Sequence, residues 1–244
     1  MNTIKILSLL TCLCLLAACN TLQKTDDVNL QKSADPLQYF NRKVYAFNDV
    51  ADKAVLRPIA VAYSTALPRP ARSGIGHFFD NLGEPLNVLN NLLQGKFDRA
   101  LHSTYRFTVN STLGLFGFFD VAKRYDVVEK PEDFGQTLAA WGVEPGPYLV
   151  LPFFGPSNAR DGFGQFSSSL AFFPNSIVTD SSTGSVGLSV IGVVDSRASV
   201  LGASSVLDSQ LDPYQFLKVA YETSRVNRLY DGDPPLAPEE DYDF

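Results

Sequence analysis

Four polar side chains recur at spacings of three and four along one stretch of this chain: Arg99, His102, Arg106 and Asn110. On a helix they share a side. Two guanidiniums beside an imidazole and an amide make a polar, cationic strip, and arginine pairs with phosphate or carboxylate at two points. Another side carries Phe97, Leu101, Tyr105, Thr108 and Leu113. Two arrangements fit this pattern: a surface helix with its polar side in water, or a polar lining turned toward something anionic. For Arg106 there is also a framework option, an interhelical carboxylate such as Asp120. Other chemistry-bearing residues are sparse. His77 and His102 are the only histidines, and neither has a second histidine or a cysteine at ligand spacing, so no metal site is expected. No G-x-S-x-G elbow presents a serine nucleophile. Gln94-Gly95-Lys96-Phe97 lacks the upstream glycine and the Ser/Thr of a phosphate loop. Glu132 and Asp133 are adjacent and suit a helix N-terminus better than acid–base work on a sugar. The reading is a non-enzyme without a cofactor.

The N-terminus carries the one covalent site. Lys5 precedes an apolar run, Ile6 to Leu16, and Leu16-Ala17-Ala18-Cys19 has the form of a bacterial lipobox. Cleavage before Cys19 would place a diacylglycerol thioether on its sulfur and an acyl group on the new amino terminus. Several acyl chains exceed what stable anchoring requires. Asn20 follows, where an aspartate would favour retention at the inner membrane in Gram-negative sorting, so the outer membrane is expected. Cys12 and Cys14 leave with residues 1–18, which excludes a disulfide framework. The mature chain keeps 19 bases against 26 acids, a net charge of −7 with no basic block, which argues against nucleic acid.

The expected fold is all-α, in a single domain over residues 35–230. Residues 19–34 read as a lipidated flexible tether reaching about 20 Å, and residues 231–244, with six acids, as a disordered acidic tail. Asp35-Pro36, with Gln38 completing a capping box, predicts a first helix through Phe40, Val44, Phe47 and Ala54 that ends near Arg57-Pro58. A shorter helix is expected over residues 71–81. Another starts at Glu84-Pro85, carries Leu86, Leu89, Leu92 and Leu93, and stops at Gly95. The stretch at residues 113–119, LGLFGFF, is too short to span a bilayer, and no mature run reaches the ~20 apolar residues needed. Pro131-Glu132-Asp133 begins a short helix with Phe134, Leu138 and Trp141, closed by Gly142; Trp141 fits either the core or a membrane interface. Residues 146–156 read as a buried or lipid-contacting loop. A helix follows through Arg160 and Asp161, then small-residue helices over residues 167–209, and a final helix from Asp212-Pro213.

An ordered set of residues ties this chain to a known family. Asp35-Pro36-Leu37, Phe40-Asn41-Arg42, Phe47-Asn48, Arg57-Pro58, Asn81, Glu84-Pro85, Asn90, Leu93-Gln94-Gly95, Arg106-Phe107, Asn110 and Phe119-Asp120-Val121-Ala122 carry its first half. Phe134-Gly135, Gly146-Pro147-Tyr148, Leu151-Pro152-Phe153, Gly155, Arg160-Asp161 and Asp212-Pro213-Tyr214 carry the rest. In these the chain resembles the VacJ/MlaA outer-membrane lipoproteins, with Gln38-Tyr39 where the family usually has Glu-Gly. The resemblance implies a compact, ring-like arrangement of amphipathic helices around a central polar channel, embedded at the inner leaflet of the outer membrane on its periplasmic side. It implies a passive path that takes mislocalised phospholipids out of the outer leaflet and maintains lipid asymmetry. The partners implied are phospholipids, an outer-membrane trimeric porin, and a soluble periplasmic carrier feeding an inner-membrane ABC transporter. Cys19 is then the lipid attachment site, and Phe47, Asn48, Arg99, Arg106, Asn110, Arg160 and Asp161 are candidate lipid-path or gating residues. The alternative is a porin-associated scaffold without a lipid path.

Overall fold

The computed structural model describes residues 35–171 and 181–235. Cys19, the tether and residues 236–244 of the tail lie outside them. The described chain is mostly helical, with one β-hairpin. Helix α1 (Gln38–Ala51) passes without a break through a π-helical turn (Asp52–Leu56) into α2 (Arg57–Ala66). The expected stop at Arg57-Pro58 therefore does not occur. A proline inside a helix clashes with the carbonyl four residues back, and the wider π turn just before it supplies a different register at that point. Asp35 is not the cap of α1: Leu37 holds that position without a side-chain bond. The Asp35 carboxylate instead accepts from Asn41 Nδ2 at 3.0 Å and from the Tyr214 hydroxyl, tying the first helix to the last.

Helix α3 (Arg69–Leu93) is one continuous 25-residue element with Pro85 inside it, where two helices were expected. Pro85 cannot donate to the Asn81 carbonyl, a loss compensated by the packing of α4 (Phe97–Thr112) along α3. Gly95, at φ +75°, makes the tight reversal between them. After α4 the LGLFGFF stretch folds back on itself, with Leu115, Phe116 and Gly117 all at positive φ. A β-carbon on Gly117 would lie 2.5 Å from Asn81 Cβ, so only glycine fits there.

A 3-10 turn (Ala122–Tyr125) leads to α5 (Phe134–Ala140), capped by Asp133 accepting from the Gln136 amide at 2.9 Å. The segment expected as a loop is a hairpin. Strand β1 (Tyr148–Leu151) pairs antiparallel with β2 (Gly155–Asn158), Tyr148 opposite Asn158 and Leu151 opposite Gly155. Four residues per strand gave too little alternation to read in advance. Helix α6 (Ala159–Ala171) follows and crosses α5 so closely that a β-carbon on Gly164 would sit 2.5 Å from the Gly135 nitrogen. Then come α7 (Ser182–Ser199), α8 (Leu201–Asp208) and α9 (Pro213–Leu229), the last capped by Asp212 as expected. No single helix among the described residues is long and apolar enough to cross a membrane; α7 and α8 meet the criterion only together, bent by 56°.

The apolar core is small: Tyr148, Val150 and Tyr214, with Val44, Tyr45 and Tyr221 packed against them. Most of the interior is polar. Along α3 the buried side chains include Asn81, Glu84, Asn87, Asn90 and Asn91, while Leu89, Leu92 and Leu93 are exposed. Along α4 the buried set is Ala100, Ser103, Arg106 and Asn110, while Phe97, Leu101 and Tyr105 are exposed. The helices are amphipathic as expected. Their polar sides, however, face inward, which overturns the reading of α4 as a surface helix with its polar side in water.

Candidate functional site

The inward polar faces of α3 and α4 meet around Arg106, which is 3% exposed. Its Nε donates to Glu84 Oε1 at 2.5 Å, Nη1 to the Val127 carbonyl at 2.5 Å, and Nη2 to Asp120 Oδ2 at 3.2 Å. Asn110 completes the cluster, donating to Asp120 Oδ1 at 3.0 Å and accepting from the Ala122 amide at 2.9 Å. Burial raises the Asp120 pKa, but the bonds from Arg106 and Asn110 outweigh it and hold the carboxyl below its ordinary value. Each of the three guanidinium nitrogens of Arg106 is therefore engaged by the chain itself. Arg99 and Lys96 bind Glu132 and Asp231, while Asn87 accepts from the Glu132 amide and Gln94 donates to its carboxylate.

A second interior cluster joins α6 to α5 and α9. Asp161 takes Arg160 Nε at 2.9 Å, Asn158 at 2.7 Å, the Tyr221 hydroxyl at 2.7 Å and Arg225 at 2.8 Å. Arg225 also bridges to Asp133 at 2.5 Å. Burial opposes ionisation of Asp133, yet Arg225 keeps its pKa low. The hairpin is fastened to α1 by amides: Asn41 donates to the Tyr148 carbonyl and accepts from the Val150 amide, and Asn48 donates to the Leu151 carbonyl and accepts from the Phe153 amide. Phe47 lies beside this, half exposed and edge-on to Phe153 at 5.2 Å.

The open space lies elsewhere. A cavity of about 370 Å³ sits between the N-terminal half of α3 and the end of α7, lined by Arg69, Arg72, Ser73, Gly76, His77, Asp80, Asp195, Ala198 and Ser199. None of the seven residues expected on a lipid path lines it. Arg99, Arg106, Asn110, Arg160 and Asp161 are held in ion-paired or amide clusters, and Phe47 and Asn48 hold the hairpin. One helical projection gives the polar side of a helix but not which polar side chains already have partners across the interior. The cavity-lining residues had a legible signal: Arg69, Arg72, Gly76, His77 and Asp80 recur at helical spacing. A helix begun at Arg69 rather than at residue 71 would have gathered them.

Asp195 is held over Gly76 by the Tyr63 hydroxyl, which donates to its Oδ1 at 2.7 Å. A β-carbon on Gly76 would stand 3.4 Å from the other oxygen, Oδ2. Arg72 Nε is enclosed without a hydrogen-bond partner. Glu129, electrostatically coupled to Asp80, is reached by solvent yet surrounded by chain. That enclosure, with the negative charges of Asp80, Glu84 and Asp120, pushes its pKa up to about 7. The same two causes, loss of surrounding water and neighbouring acids, raise Asp80.

Residues 33–228 match the family model described as MlaA lipoprotein. The chain is 38% identical over 198 residues to the intermembrane phospholipid transport system lipoprotein MlaA of Escherichia coli (strain K12), covering 78% of this chain and 76% of the relative. It is 31% identical over 237 residues to the protein of the same description from Haemophilus influenzae, covering 95% and 93%. A solved structure described as "Structural basis for maintenance of bacterial outer membrane lipid asymmetry" superposes with a TM-score of 0.68 at 35% identity, covering 82% of this chain and 100% of that one.

Proposed function

The chain belongs to the MlaA lipoprotein family, and from that premise we propose that it is an outer-membrane lipoprotein, anchored through Cys19 on the periplasmic side, that gives mislocalised phospholipids a passive path out of the outer leaflet. It hands them to a soluble periplasmic carrier that feeds an inner-membrane ABC transporter, and it works beside a trimeric porin. The observation that carries this reading is the inverted polarity of the fold. Leu101, Phe97, Leu113 and Phe116 face outward while Arg106, Glu84, Asn90 and Asn110 are enclosed. Such a chain is most stable with hydrocarbon outside, because its backbone and polar side chains are satisfied internally.

The chemistry of the path is electrostatic. A headgroup charge in hydrocarbon costs several kcal/mol, and a polar cavity within the leaflet removes most of that barrier. The sequence carries no phosphate-loop motif, and on this reading lipid moves down its own gradient. The Arg106 and Asp161 clusters serve as the frame that fixes the helices relative to one another. Phe47 and Asn48, at the junction of α1 and the hairpin loop, are the gating candidates, since their contacts can break without disturbing an ion pair.

The test fills the cavity. Ser73→Trp places an indole among the lining residues on an accessible turn of α3, and should abolish phospholipid transfer from reconstituted vesicles to the carrier while porin association persists. Transfer at the unsubstituted rate would remove the cavity from the path and favour a scaffold role.

A further inference from the structure

The cavity between α3 and α7 is lined by charges of both signs that do not neutralise one another. Arg69 and Arg72 have no carboxylate within ion-pair distance among the described residues, and Asp80 and Asp195 have no cation. Elsewhere this chain pairs its interior charges thoroughly, as around Arg106, Asp161 and Glu132. Here Arg72 and Asp195 are partly buried without an ion pair, and Arg69 and Asp80 are exposed beside them. The Arg72 Nε–H is enclosed and without a hydrogen-bond partner, and Asp195 has one oxygen fixed by Tyr63 while its other lies over Gly76, where no side chain intervenes.

Resting on the lipid-path reading, we propose that this cavity is a subsite for zwitterionic phospholipid headgroups: the phosphate is taken by Arg72 with Arg69, and the ammonium by Asp195 with Asp80. The arginine fork suits a phosphodiester, donating two N–H groups to two oxygens. A carboxylate across a small cavity suits a compact ammonium carried two carbons from that phosphate. An anionic headgroup with a neutral glycerol satisfies the arginines but leaves both carboxylates uncompensated, which selects against it. The signs therefore set a preference for phosphoethanolamine over phosphoglycerol, and Asp195 determines it.

The experiment measures transfer to the carrier from vesicles doped equally with fluorescent phosphatidylethanolamine and phosphatidylglycerol, with glycerophosphoethanolamine and glycerophosphoglycerol as acyl-free competitors. The expected result is an ethanolamine preference of about fivefold, the size of one solvated ion pair, together with stronger inhibition by glycerophosphoethanolamine. Asp195→Asn should bring the two lipids to equal rates, and Arg72→Gln should slow both. Equal rates for both lipids with the unsubstituted protein, or equal inhibition by the two competitors, overturn the headgroup assignment and leave the lipid path standing. Absence of transfer for both lipids overturns the path itself. The comparison with unsubstituted protein decides the matter even where a variant fails to fold.

Discussion

At Arg106 a ligand contact and a framework contact predict opposite things. The guanidinium is enclosed and bonded to Glu84, which is fully buried, to Asp120 and to a carbonyl. Arg106→Gln removes the charge that compensates Glu84 and should lower stability by about 3–5 kcal/mol, the usual penalty for breaking a buried pair from one side. Denaturant titration in mild detergent checks it. An unchanged midpoint with slowed lipid transfer would return Arg106 to the path. The sequence made the polar stripe readable and allowed Asp120 as a partner. Glu84 was hidden because it was read as part of a helix start, whereas it faces α4 from the middle of α3. Asp35 is similar: the Asp-Pro pair suggested a cap, but the carboxylate bonds across the fold to Tyr214 on α9, and local sequence does not encode so distant a partner.

Among the elements, periodicity and caps located most helices and missed the joints between them. The start of α9 follows from its aspartate cap, α5 begins at Phe134, a turn later than Pro131 suggests, and Gly95 closes α3. The continuity of α1 into α2, and of α3 through Pro85, depends on tertiary packing that overrides proline's local preference. The hairpin was missed because its short strands contain Pro156 and are bounded by glycine. It is held from outside by Asn41 and Asn48 on α1. Asn48→Ala removes both bonds to the Leu151–Phe153 turn and should cost about 1–3 kcal/mol locally, with α1 and the strands retained. Hydrogen exchange resolves this: the Phe153 amide should lose protection while Val150 keeps it. Unchanged protection at Phe153 would mean that the turn holds itself.

For the whole molecule, the family and the helical class were legible in sequence, but the direction of amphipathicity was not. A helix with one apolar and one polar side has the same pattern whether water or hydrocarbon lies outside. Only the fold shows that Leu101 points out and Arg106 in. The central claim is that hydrocarbon covers the outward faces while a separate polar space opens within. It is tested by tryptophan quenching with acyl-chain-brominated phospholipid in a Trp141→Phe background, which leaves a chain with no other tryptophan. Leu101→Trp on the outward face of α4 should be strongly quenched, and Ser73→Trp in the cavity should not. Absence of quenching at position 101 would contradict lipid contact, and equal quenching at both positions would contradict a polar space walled off from the bilayer.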